Sequence, residues 1–139
     1  MTRYTSVYLL VLAIYSVCFI GAAFNHTRDI LANGFLVHSG RPISTHFFWT
    51  SLTFVDPLVP LLILARRVKP AILLASAIML ADVAVNTHYA YNHRETVYYG
   101  NLDLVAQTAF FGFVLCTAPL LWKYSDNHAV NQSGEVDRS

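Results

Sequence analysis

Charged side chains are scarce in this chain of 139 residues: Asp, Glu, Lys and Arg together make up 12%, where an ordinary soluble domain carries roughly a quarter. A water-soluble fold must cover its core with polar surface, and this chain has too little of it. An excess of charge of one sign is missing as well. A net charge of +1 supplies no basic stripe for a phosphate backbone, so nucleic acid is not an expected partner. Cysteine is limited to Cys18 and Cys116. They lie far apart inside apolar runs and form no CxxC, so they read as small hydrophobes. The chain also lacks HExxH and ExxH pairs, a Gly-rich phosphate loop and a Ser-His-Asp spacing, which leaves no familiar catalytic motif.

What is present is hydrophobic residue, at 55% of the chain. Lipid is the solvent that accommodates such a composition, and the length allows a single domain. A membrane-crossing helix needs about 20 mostly apolar residues, and segments of that kind occur at about 4–24, 47–65, 70–91 and 104–122. Gly21 and Ala23 would suit a signal-peptide cleavage site. The preceding apolar stretch is longer than a usual signal core, however, and favours a retained first span. The expected fold is therefore all-α, a four-transmembrane-helix bundle over residues 1–124, with a disordered polar tail over 125–139.

Arg66, Arg67 and Lys69 cluster in the tight connection between the second and third segments. Short loops rich in Lys and Arg stay in the cytoplasm, which places both termini there and points to a plasma or inner membrane. The Asn25-His26-Thr27 and Asn131-Gln132-Ser133 sequons are then unsuited to glycosylation, one being pressed against the membrane and the other cytoplasmic.

Within this apolar setting a few polar residues stand out. Asp56 falls mid-span and Asp82 slightly outward of it, while Asp29 and Asp103 fall at the outer rim. Asn25 and Asp29, Asp82 and Asn86, and Asp103 and Gln107 are each four residues apart, one helical turn on a common face. The inner halves of the spans hold no charge. An ionised group at the bilayer centre costs about 2.5–3.5 kcal/mol on insertion scales, which makes such residues functional candidates. No Lys or Arg lies in a span's core to neutralise Asp56 or Asp82. Each must be protonated and hydrogen-bonded, or ionised and met by a cation. Pro57 and Pro60 follow Asp56 and free backbone carbonyls around Thr53 and Asp56. The hydroxyls of Thr50, Ser51 and Thr53 are positioned to serve these carbonyls.

These observations favour a pocket opening to the outside that binds a small cation, metal ion or polar ligand, with transport as one use. Asp56 and Asp82 are expected at its floor, Asn86, Gln107 and Asn25 on its walls, and Asp29, His26, Asp103 and His88 at its mouth. The mouth residues are also the candidate ligands for a divalent metal ion, with His46 as a further donor. An alternative is a membrane enzyme in which the aspartates divide acid and base roles on a lipophilic substrate. A second alternative is an accessory subunit whose acids only hold the helices together. Ala77 and Ala81 offer a small-residue strip for close helix approach, within the bundle or in a homodimer. In helix count and acidic cavity alone, the architecture is similar to that of the sterol-isomerase and sigma-2-receptor group.

Overall fold

A computed structural model describes residues 3–35, 43–92 and 102–136. The described residues form five helices: α1 (Arg3–Asn33), α2 (Ile43–Val55), α3 (Leu58–Leu64), α4 (Val68–Asn92) and α5 (Leu102–Val136). Because α2 and α3 follow one another end to end, the helices make four segments long and apolar enough to cross a membrane: Thr5–Asn33, Ile43–Leu64, Val68–Asn92 and Leu102–Asp126. In the apolar window of each segment only 17% to 39% of residues are buried inside the bundle. The remaining apolar side chains, among them Val17, Phe24, Leu64 and Leu80, point outward. Water would not tolerate that much exposed hydrocarbon, and lipid would.

The second segment differs from its expected form. It begins at Ile43, four residues earlier than 47, and is broken at Asp56-Pro57 into α2 and α3. Pro57 has no N–H to donate to the Thr53 carbonyl. The chain tightens to compensate, with the Val59 N–H bonding the Asp56 carbonyl at 3.2 Å and the Leu61 N–H bonding that of Pro57 at 3.2 Å. Two of the three hydroxyls expected to serve this region do not reach it. Ser51 bonds back to the Phe48 carbonyl at 2.6 Å, and Thr53 Oγ1 is buried with no hydrogen-bond partner among the described residues. At the other end of the chain, the polar stretch expected to be disordered from 125 is helical as far as Val136. It contains no proline to stop the helix, and an ion pair from Lys69 on α4 to Asp126 holds its first turn.

The core lies along the bundle axis. Tyr15 and Phe19 of α1 meet Phe110 of α5 edge to face, with centroids 6.2 and 5.8 Å apart. Val59, Ala75, Val114 and Leu121 are fully buried beside them. The Tyr15 hydroxyl donates to the Val114 carbonyl at 3.0 Å and pairs with Thr117 Oγ1, which keeps its polar atom satisfied in an apolar interior. The longest interface is between α4 and α5. On α4 the small residues facing inward are Ala71, Ala75 and, near its far end, Ala90, at 1%, 0% and 1% exposure. Ala77 of the expected strip is exposed and Ala81 only half-buried. Ile72, Ile78, Met79 and Asp82 are buried with Ala75, and that choice of face turns Ala77 away. At the end of the bundle that holds the chain termini, Tyr8 stacks on Tyr124 at 4.3 Å. Thr5 Oγ1 and the Tyr124 hydroxyl are hydrogen-bonded at 2.8 Å.

The two helix ends that turn sharply are capped differently. α1 closes on Gly34 at φ 89°, whose N–H bonds the Ile30 carbonyl at 2.8 Å. α3 closes in a Schellman arrangement, with the Arg66 N–H on Ile63 and the Arg67 N–H on Leu62. Its left-handed position is occupied by Arg66 at φ 59° instead of glycine. A side chain there costs about 1–2 kcal/mol, partly offset by the extra freedom glycine would have when unfolded. Arg66→Gly is therefore expected to stabilise the detergent-purified protein by about 0.5–1 kcal/mol, read as a raised unfolding midpoint. A lowered midpoint would contradict the strain reading.

Candidate functional site: a polar cluster around a broken helix

Three residues of α2 and the one that follows its end lie at intervals of three, four and three: His46, Trp49, Thr53 and Asp56. This spacing puts them on one stripe of the helix. His46 and Asp56 are buried, at 4% and 1% exposure. The stripe faces His26 on α1 and Asp82, Asn86 and Tyr89 on α4, and Gln107 of α5 closes the group.

Asn86 is the hub. Its amide nitrogen donates to Asp82 Oδ1 at 2.8 Å and to Gln107 Oε1 at 2.9 Å. Its carbonyl oxygen accepts the indole N–H of Trp49 at 3.0 Å. Three of the four hydrogen bonds open to an asparagine amide are thus made, and they join α2, α4 and α5. The Trp49 ring is held between Tyr89, with centroids 5.8 Å apart, and His46, at 6.3 Å. The i, i+4 spacing of Asp82 and Asn86 is realised as a direct hydrogen bond.

Asp56 is in a different situation. Both of its carboxylate oxygens are shut off from solvent and make no hydrogen bond among the described residues. The His26 imidazole approaches it, with Nε2 3.8 Å from Oδ2. That is ion-pair range, beyond a hydrogen bond. Asp82 is close enough for the two carboxyls to act on one another electrostatically. His26 also borders a small cavity of about 20 Å³ towards the Trp49 end of the bundle, together with Asp29, Ile30, Gly34, His46, Trp49 and Thr50. A space of that size holds about one water-sized body.

The expected site residues separate into two groups. Asp56, Asp82, Asn86 and Gln107 come together, with His26 beside Asp56. Asn25, His88 and Asp103 do not join them. Asn25 and Asp103 are exposed, and Asp29 lines the small cavity from an exposed position. His88 is two residues beyond Asn86, more than half a turn away. It bonds Asn92 at 2.9 Å and lines an open, largely apolar groove of about 440 Å³ with Leu80, Val83, Ala84, Thr87 and Tyr91. The expected metal set of His26, Asp29, His88 and Asp103 is therefore dispersed. Among the described residues no three His, Cys, Asp or Glu side chains gather to hold a metal ion. Cys18 and Cys116 are free and exposed. Trp49 is not among the residues the sequence singles out, although its place two turns before Asp56 on the polar stripe is a usable signal. The approach of His26 to Asp56 crosses between helices and left no local trace.

No protein-family model, curated protein or solved structure matches this chain, and the chemistry of the cluster carries its interpretation.

Polar contacts between membrane helices average about 0.6 kcal/mol each. Asn86→Leu, which removes three of them at nearly constant volume, is expected to lower stability by about 2 kcal/mol. In a Trp122→Phe background, the fluorescence of Trp49 should change with it as the indole N–H loses its acceptor. Unchanged stability and an unchanged spectrum would mean that Asn86 is not the hub.

Proposed function

We propose that the chain is a multi-pass membrane protein that binds a small cation, or a small positively charged polar ligand, at the Asp56–Asp82 centre. Both termini lie in the cytoplasm, and the His26–Trp49 end of the bundle faces outward from a plasma or inner membrane. The Arg66, Arg67 and Lys69 cluster at the opposite end supports that orientation. The observation that carries the binding reading is the Asp56 carboxyl, 1% exposed and without a hydrogen bond. An uncompensated buried charge costs several kcal/mol, and only a proton or a positive ligand relieves it. Helix-joining glue would be expected to use its oxygens in hydrogen bonds, as Asp82 does.

A second reading, acid–base catalysis on a lipophilic substrate, draws support from the His26–Asp56 approach and from the unequal surroundings of the two carboxyls. It ranks lower because the space beside the cluster, about 20 Å³, holds no lipid-sized molecule.

The test is thermal unfolding of the purified full-length protein against chlorides of monovalent and divalent metals, methylammonium and guanidinium. A bound cation at a hundred times its Kd adds about 2.7 kcal/mol of stability. At least one cation should raise the midpoint of the wild type and leave the folded Asp56→Asn/Asp82→Asn double variant unmoved. A midpoint indifferent to every cation, or a rise that survives in the double variant, would remove the binding reading.

A further inference from the structure

Asp56 has two features that the polar cluster alone does not explain. It sits where the second segment breaks, and it is not the only unsatisfied oxygen there. Thr53, one turn earlier on the same stripe of α2, has its hydroxyl buried without a hydrogen-bond partner among the described residues. Its main-chain carbonyl has lost its normal donor, because residue 57 is proline. The break also ends α2, and the C-terminal end of a helix carries partial negative charge. A carboxylate, a hydroxyl and a freed carbonyl are thus set within one turn of backbone, at the negative end of a half-helix. In membrane proteins, unwound carbonyls and half-helix C-terminal ends of this kind coordinate small cations.

The donors limit the ion. They are all oxygen, which suits a hard cation and not zinc, copper or iron(II) held by nitrogen and sulfur. They bring one formal negative charge, that of Asp56, while Asp82 accepts from Asn86 at 2.8 Å and is not among them. One charge matches a monovalent ion, whereas calcium takes six to eight oxygens, usually with several carboxylates among them. The cavity that His26 borders beside Asp56 measures about 20 Å³. That admits a body the size of a water and excludes an organic ammonium ion.

We propose that the break between α2 and α3 is a sodium site, in which a dehydrated Na⁺ is held by the Asp56 carboxylate, the Thr53 hydroxyl and the Thr53 carbonyl. His26, whose Nε2 stands 3.8 Å from Asp56, borders the route to it from the cavity. This rests on the cation-binding reading of Asp56 and narrows it to one ion.

The test uses the full-length protein in detergent, with thermal unfolding followed at constant ionic strength in sodium, potassium or choline chloride, beside direct binding of ²²Na⁺. Sodium should raise the midpoint saturably while potassium and choline leave it where it was. The rise and the ²²Na⁺ binding should both be lost in Asp56→Asn and in Thr53→Val. Thr53→Val keeps the side-chain shape, so it decides the matter even if the aspartate variant fails to fold. Pro57→Ala, which returns an N–H to the Thr53 carbonyl, should weaken sodium binding without abolishing it. Equal effects of sodium and choline, or full sodium binding in Thr53→Val, would overturn the proposal. If a divalent ion or methylammonium stabilises the protein through Asp56 and sodium does not, the sodium site falls and the broader binding reading stands. If no cation acts, both fall.

Discussion

Placing the Asp56 carboxyl inside a bundle of apolar helices costs several kcal/mol unless a proton or a positive charge meets it, and much of the surrounding arrangement follows from where that carboxyl lies. It sits at the only broken segment among the described helices. Pro57 breaks that segment and removes a backbone donor at the same level. The bundle then turns its polar residues towards this point: His26 from α1, the Trp49 stripe from α2, and Asp82 with Asn86 from α4. Elsewhere the described interior is apolar apart from the Tyr15–Thr117 pair, with Tyr15, Phe19, Val114 and Leu121 closing the axis.

The contrast between the two buried aspartates gives the cluster its chemical character. Asp82 lies in unbroken helix, one turn before an asparagine that donates to it. Asp56 is followed by proline, and what stands one turn beyond it is Pro60, which has no donor at all. The same residue type, placed in one bundle at similar depth, is satisfied in one case and left open in the other. The difference comes from backbone chemistry in the next four residues. An open carboxyl beside a satisfied one reads as a place for something to bind. Two satisfied ones would read as structure.

Parts of this were legible in one dimension. Asp82 and Asn86 are four residues apart, and an intrahelical pair of that spacing needs no tertiary information. The proline after Asp56 announced a disturbed helix, although not that the segment would divide into two. Other parts were not legible. Ala71–Ala75 and Ala77–Ala81 have the same small-residue spacing, and only the rotation of α4 about its axis decides that the first pair faces inward. Asn25, His88 and Asp103 look as suitable on paper as His26 and Gln107. His88 is turned away because two positions along a helix from Asn86 is more than half a turn. Asn25 and Asp103 are exposed, although Asn25 neighbours His26 and Asp103 lies one turn before Gln107.

Composition and hydropathy alone determined an all-helical chain with four segments able to cross a membrane, and with its few acids set in apolar surroundings. Those properties follow from residue type summed over about 20 positions, and helix rotation does not alter them. The meeting of His26 with Asp56, the convergence of Trp49, Asp82 and Gln107 on Asn86, and the exclusion of His88 were decided only by the tertiary structure. Each depends on how the helices rotate against one another. That rotation is set by many side chains packing at once, Tyr15 on Phe110 and Ala75 against its neighbours among them, and no local spacing encodes it.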